Sequence, residues 1–424
     1  MKYFFATFLG LASNFCAAQR IVIHCGTLID GKSNGAQTQM SILVEGNKIV
    51  ELVKGFADVG AGDSLIDLSK KTVLPGLIDM HVHLEGETSK DQALQRFTLN
   101  QADIAFRATG FARKTLMAGF TTVRDLGGVG VNTSLRNAIN QGLVVGPRIF
   151  SAGKSIATTG GHADPTNGYR KELMGDPGPV EGVINSPEDA RKAVRQRYKD
   201  GADLIKITAT GGVTSLAKDG SGPQFTDEEL KAIIETARDY GMHTAAHAHG
   251  PVGMKRAVLA GITTIEHGTL MTEEIMDLMK QKGTYYVPTL TAGRFVGEQA
   301  KIPGYYHPLV VPKAIAIGPQ IQKTFEKAYK RGVKIAFGTD AGVFFHGDNA
   351  QEFALMVQGG MPPIEAIKAA TVVNASILGM SDQIGSLEIG KLADIIAVDE
   401  NPLQNIKALE KVSFVMKDGT VIKR

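Results

Sequence analysis

The sequence predicts an α/β fold: a (β/α)8 TIM-like barrel with a small composite β-sandwich domain assembled from both chain ends. Three observations predict it. Eight strand-like segments alternate with helical patterns through the middle of the chain. Short alternating runs with Gly/Asn turns occupy both ends. Ligand-type side chains gather where the central strands end, which is where barrels of this kind place their chemistry. An open doubly wound sheet also alternates strands with helices, but no Gly-x-Gly-x-x-Gly follows an early strand here.

The first element is a processing signal over residues 1–18. Lys2 is a short positive region, Tyr3 to Leu11 is mostly apolar, and Cys16-Ala17-Ala18 offers small residues for cleavage. The apolar stretch is too short to span a bilayer. The expectation is a periplasmic or secreted protein with no membrane association after processing. The processed chain keeps one cysteine, Cys25, so no intramolecular disulfide can form, and stability rests on a large core.

Residues 19–72 form the first part of the β-sandwich domain, from Ile21-Val22-Ile23 and Ser41-Ile42-Leu43-Val44 with the turn Glu45-Gly46-Asn47-Lys48. Residues 385–424 complete it, from Ala393-Asp394-Ile395-Ile396-Ala397-Val398 and Val412-Ser413-Phe414-Val415-Met416. Between them, 73–384 is the barrel, with strand candidates at 73–84, 121–127, 147–154, 203–210, 243–249, 263–268, 284–291 and 334–340. Thr226-Asp227-Glu228-Glu229 is a capping box ahead of a helix running to Tyr240, and Ser186-Pro187-Glu188-Asp189 opens another. The 49 glycines suit the many tight turns of such a fold.

A net charge of +3, with no basic block interleaved with aromatics, excludes nucleic acid as the expected partner. The chemistry lies in the strand ends. In Asp79-Met80-His81-Val82-His83 the two imidazoles share one strand face. Lys206 sits inside the apolar strand Asp203-Leu204-Ile205-Lys206-Ile207-Thr208, where an unpaired ammonium is expensive. A lysine paired with an internal carboxylate is one reading. The other is a lysine converted by CO2 to a carbamate, because desolvation exposes the amine lone pair. His247 and His249 share a face of the fifth strand, His267 ends the sixth and Asp340 ends the eighth. Imidazoles, a carbamate and a carboxylate are a ligand set for two divalent ions, zinc first, with a bridging hydroxide available at neutral pH.

These segments resemble the amidohydrolase superfamily, in its binuclear branch with a carboxylated lysine. Pro75-Gly76-Leu77-Ile78-Asp79-Met80-His81-Val82-His83 carries the resemblance, with Lys206-Ile207-Thr208-Ala209-Thr210-Gly211-Gly212-Val213, His247-Ala248-His249-Gly250, Glu266-His267-Gly268-Thr269 and Gly338-Thr339-Asp340-Ala341-Gly342. The subgroup it is similar to holds Xaa-Pro dipeptidase-like metallocarboxypeptidases and ochratoxin-hydrolysing amidases. The resemblance implies hydrolysis of the amide bond to a C-terminal amino acid in a dipeptide, N-acyl amino acid or ochratoxin-like amide.

Carried onto this chain, it implies that His81, His83 and Asp340 hold one Zn2+. His247 and His267 hold the other, and N6-carboxylated Lys206 bridges. Choosing His247 over His249 rests on the resemblance, since both face the same way. It makes Asp340 the proton shuttle, His249 the carbonyl contact and His162, in Gly160-Gly161-His162, the anchor for a substrate carboxylate. His346 is a further substrate-contact candidate, whereas His24, His243 and His307 are read as structural. The loop after Lys206 lacks a tyrosine that some dipeptidase-like relatives use. Relatives of this kind form homo-oligomers, often octamers. The competing readings are a cyclic-amide hydrolase, imidazolonepropionase- or dihydropyrimidinase-like, and an inactive barrel serving as a binding scaffold.

Overall fold

The structure, a computed structural model, describes residues 20–215 and 220–424. The expected processing signal falls outside the described residues. Four strands open the chain: β1 (Ile21–Leu28), β2 (Gln37–Glu45), β3 (Lys48–Lys54) and β4 (Ser64–Pro75). The central strands follow as β5 (Leu77–Val82), β6 (Phe120–Asp125), β7 (Arg148–Ser151), a short pair β8 (Ala157–Thr158) and β9 (Val183–Ile184), then β10 (Leu204–Thr208), β11 (His243–Ala248), β12 (Thr264–His267) and β13 (Tyr285–Val287). The chain closes with β14 (Ile395–Val398), β15 (Val412–Lys417) and β16 (Thr420–Lys423).

The central strands form parallel sheets β5-β6-β7 and β10-β11-β12-β13. Three local pairings close them into a ring. Ile156 bridges Ile207, and Asp203 N donates to Ser151 O at 2.8 Å. Tyr286 bridges Ile335, and Ala336 N donates to Tyr286 O at 2.9 Å. Val82 bridges Ala341, and Asp340 N donates to His81 O at 2.7 Å. The eighth stave, residues 334–341, is therefore held by isolated bridges rather than a regular ladder. Two residues explain this. Asp340 has a left-handed φ of 62°, and a Cβ on Gly338 would come within 2.5 Å of Val287 Cγ1 and 3.1 Å of His81 N.

Both chain ends meet in one seven-stranded sheet of order β16-β15-β14-β4-β1-β2-β3. The apolar run expected as a single first strand divides at Gly76. Up to Pro75 it pairs with β14, Pro75 opposite Ile395, and from Leu77 it enters the barrel. The run reads as continuous because both halves are buried. Gly76 is required there, since a Cβ would lie 2.1 Å from Thr121 Oγ1.

The caps form as the spacing predicts. Thr226 Oγ1 accepts from Glu229 N at 3.2 Å while Glu229 Oε2 accepts from Thr226 N at 2.9 Å, starting helix Asp227–Asp239. Ser186 Oγ accepts from Asp189 N at 3.1 Å ahead of helix Pro187–Lys199. Each such cap contributes about 1 kcal/mol. The barrel core includes Phe120, Phe337 and Phe353, with ring centroids 5.7 and 4.3 Å apart in turn, and the terminal sheet has its own core around Ile42, Val44 and Phe414. Arg148, at the start of β7, ties the two together by pairing with Asp394 at 2.8 Å and Asp418 at 2.6 Å. Among the described residues no helix is long and apolar enough to cross a membrane.

Candidate metal centre

Strand alternation places His81 and His83 on one face of β5, and each ring is fixed by its far nitrogen. His81 Nδ1 donates to Glu266 Oε2 at 2.9 Å, and His83 Nδ1 donates to Gly127 O at 2.7 Å. Both Nε2 atoms therefore turn inward, 3.3 and 3.2 Å from Asp340 Oδ1. His267 Nδ1 pairs with Thr289 Oγ1 at 2.8 Å, leaving its Nε2 free. His247 is oriented the other way: Nε2 donates to Gly211 O at 3.1 Å, so Nδ1 is its free nitrogen. His249 Nδ1 pairs with Thr269 Oγ1 at 2.8 Å. The rings crowd one another, with centroids 4.6 Å apart for His247 and His267 and 5.0 Å for His81 and His267. Ligand atoms of His81, His267 and Asp340 all lie within 4.8 Å of each other, a group able to hold a metal ion.

The electrostatics suit cation binding. Burial pushes His81, His247 and His267 well below the usual imidazole range, and His249 down to about 3, which leaves neutral lone pairs. Asp340 is drawn below the usual carboxyl range despite its burial, because His81, His83 and Lys206 face it. Lys206 is 4% exposed, and burial pushes its ammonium down to about 8. Its Nζ makes no hydrogen bond or ion pair with any described residue, and the Glu266, Asp340 and Asp125 carboxylates act on it only through space.

Asp340 Oδ1 is buried without a hydrogen bond, as is Thr208 Oγ1. Unpaired buried oxygen is costly unless something outside the chain completes it. A carboxylate oxygen left without a hydrogen bond, beside the buried neutral imidazoles of His81 and His267 and with no thiolate in the cavity lining, fits a divalent cation. Backbone strain gathers here too. His267, Thr289 and Asp340 have φ of 68°, 52° and 62°, three of the five non-glycine residues with positive φ among the described residues. Each costs roughly 1–2 kcal/mol.

The supporting residues were not singled out by sequence reasoning. Arg124, fully buried in β6, donates to Glu266 Oε1 at 2.8 Å and to Met80 O at 2.7 Å, so an Arg–Glu pair stands behind His81. Thr264 Oγ1 also donates to Glu266. Asp79 accepts from Thr339 Oγ1 at 2.6 Å and from Asn349 Nδ2 at 2.8 Å, clamping the eighth stave to the first. Glu352 accepts from Leu290 N and Thr291 N, both at 2.8 Å, which holds the strained Thr289 against His267. The available signals were an arginine in the strand candidate at 121–127, observed as Phe120–Asp125, and the Asp and Glu inside the motifs around His81 and His267.

His162 reaches the site, its ring stacked 4.3 Å from that of His247. His346 does not. It is buried behind the cavity wall, with Nε2 donating to Gly86 O at 2.8 Å and its ring stacked on Phe111. Of the histidines read as structural, His24 Nε2 contacts Ala57 O at 2.9 Å and His307 Nδ1 accepts from Leu309 N at 3.2 Å. His243 is half-buried at the far end of β11. A cavity of about 300 Å3 opens over the imidazole cluster, with Val213, Val296, Ile317 and Val343 on its apolar side.

Comparison with known proteins agrees with this arrangement. Ochratoxinase of Aspergillus niger is 33% identical over 431 aligned residues, covering 96% of this chain and 87% of the relative. An Xaa-Pro dipeptidase whose structure holds methionine in the active site is 54% identical, with a TM-score of 0.93 over 96% of this chain and 100% of that one. A prolidase complexed with N-methylphosphonate-L-proline is 31% identical, with a TM-score of 0.86 and coverage of 96% and 100%. Residues 72–423 match the amidohydrolase family over the barrel and the closing strands alike. The chain belongs to the amidohydrolase family, as a hydrolase of amide bonds.

Proposed function

We propose that this protein is an exported, binuclear metal-dependent amidohydrolase that releases a C-terminal amino acid from a dipeptide or N-acyl amino acid. The observation that carries the reading is Lys206, buried among imidazoles without a hydrogen bond or ion pair, the Glu266 and Asp340 carboxylates acting on it only through space. Such an amine adds CO2 at Nζ, losing a proton and becoming an anionic carbamate, which removes the buried positive charge. His81, His83 and Asp340 would hold one cation, His247 through Nδ1 and His267 through Nε2 the other, and carboxylated Lys206 both. The cations, zinc by donor type, supply hydroxide at neutral pH when bound.

The chain's own residues do the rest. Asp340 takes the proton of the attacking water and returns it to the leaving amine. His249, tied to Thr269 through Nδ1, presents Nε2 to the carbonyl oxygen as negative charge develops there. Methionine and an L-proline derivative, bound in two relatives, support an amino acid as leaving group. Ochratoxinase supports tolerance of larger acyl groups.

A hydrolysis screen of N-acyl and aminoacyl amino acids with zinc-loaded protein tests the activity. About two zinc ions per chain and carbon-13 carbamate signal after incubation with labelled bicarbonate are expected. Hydrolysis of ring amides alone, or failure of the protein to retain metal after incubation with zinc, would overturn the reading in favour of a cyclic-amide hydrolase or a scaffold respectively.

A further inference from the structure

One cation on the cavity wall stands apart from the proposed ligand set. Helix Gln92–Thr98 carries Arg96 to the cavity. Among the described residues the Arg96 guanidinium makes no hydrogen bond or ion pair, and Lys206 is the other Lys or Arg side chain on that wall. Asp340 is the carboxylate of the lining, and its Oδ1 is turned to His81 and His83 at 3.3 and 3.2 Å rather than to Arg96. No acid of the lining is left to pair with Arg96.

The helix is placed by its neighbours. Phe97 packs its ring 4.8 Å from that of Tyr169, which lies on the same loop as His162. Thr88, just ahead of the helix, bonds the Tyr305 hydroxyl at 2.9 Å. The segment carrying Arg96 thus rests on the loop that sends His162 against His247. A planar guanidinium grips a carboxylate through two parallel hydrogen bonds, whereas a neutral imidazole offers one donor.

Resting on the amino-acid-releasing reading above, we propose that Arg96 anchors the free carboxylate of the substrate and so restricts the enzyme to the terminal amide. His162 then contributes a single hydrogen bond beside it. The apolar wall of Val213, Val296, Ile317 and Val343 takes an uncharged aliphatic side chain. With carboxylate and side chain both seated, the scissile carbonyl has one register against the imidazole cluster.

The test compares wild type, R96Q and R96K on N-acetyl-L-methionine and its C-terminal carboxamide, with calorimetric titration of L-methionine into each zinc-loaded protein. For R96Q, KM for the carboxylate should rise about 10–100-fold, the span of hydrogen bonds to a charged group. Its kcat should hold, the carboxamide should be unaffected, methionine binding should weaken in parallel and R96K should recover part. Equal losses on both substrates, or none on either, would overturn the proposal, as would methionine binding that ignores the substitution. Wild type that binds methionine through Arg96 yet hydrolyses neither compound would sink the proposed activity while leaving the anchor standing.

Discussion

The two ends of the barrel treat buried charge in opposite ways. At the base, Arg148 pairs with Asp394 and Asp418 at 2.8 and 2.6 Å, and Asp418 N donates to Asp394 Oδ1 at 2.9 Å, so every charge is answered. At the mouth, Lys206 has no carboxylate at ion-pair distance among the described residues, Asp340 Oδ1 accepts no hydrogen bond, and His267, Thr289 and Asp340 hold strained backbone. The base is finished by folding. The mouth is finished by what it binds, and it detracts from stability until then.

The comparison breaks or sharpens under substitution, beginning with the largest effect. K206M should abolish metal retention and lower amidase activity by about 10²–10³-fold or more, the scale of losing one preorganised electrostatic group. The metal-free variant should melt no lower than metal-free wild type, because a buried unpaired ammonium has been replaced by an apolar chain of similar length. A clear drop in its melting temperature would mean that Lys206 is answered after all.

R148M should do the reverse. Leaving Asp394 buried without its cation should cost about 3–5 kcal/mol in chemical denaturation, with metal content per folded chain unchanged. Between these extremes, E266Q touches both properties. It loosens the grip on His81 Nδ1 and strips Arg124 of its charge partner, so zinc affinity in a chelator competition should fall about 10–100-fold.

The smallest effect is expected at Glu388, beside the terminal sheet. Hydrogen bonds from Ser386, Lys32 and Lys391 hold its carboxyl down to about 2. Its folded value is below its unfolded one, so its stabilisation is present above about pH 4.5 and lost as pH falls through about 2. The group is over a third exposed, so E388Q should cost less than about 1 kcal/mol near pH 7 after solvent screening. The difference from wild type should shrink between pH 4.5 and 2 in paired denaturation curves.

Much of the mouth was legible in the chain because strand side chains alternate. Two residues apart means the same face, so His81 with His83, and His247 with His249, announce themselves as pairs. Lys206 stood out as a cation inside an apolar strand. What was not legible depends on backbone that no periodicity encodes. Thr289 supports His267 from a left-handed residue, and Glu352 holds Thr289's helix from a distant one. The first strand candidate spans two sheets because nothing polar marks the crossing at Gly76. His346 follows the eighth stave closely, yet the turn after it folds the ring away from the cavity, onto Phe111. Which nitrogen of His247 is free followed only from the carbonyl of Gly211, a contact across the ring of staves.

The pairing of β4 with β14 also orders events in time. While a ribosome is still making the middle of the protein, the strand ending at Pro75 has β1 on one side and nothing on the other. That open edge, with Val73 and Leu74 destined for full burial, invites pairing with any passing strand until Ile395–Val398 emerges. Nascent chains halted before that point should therefore be the ones that chaperones bind most tightly.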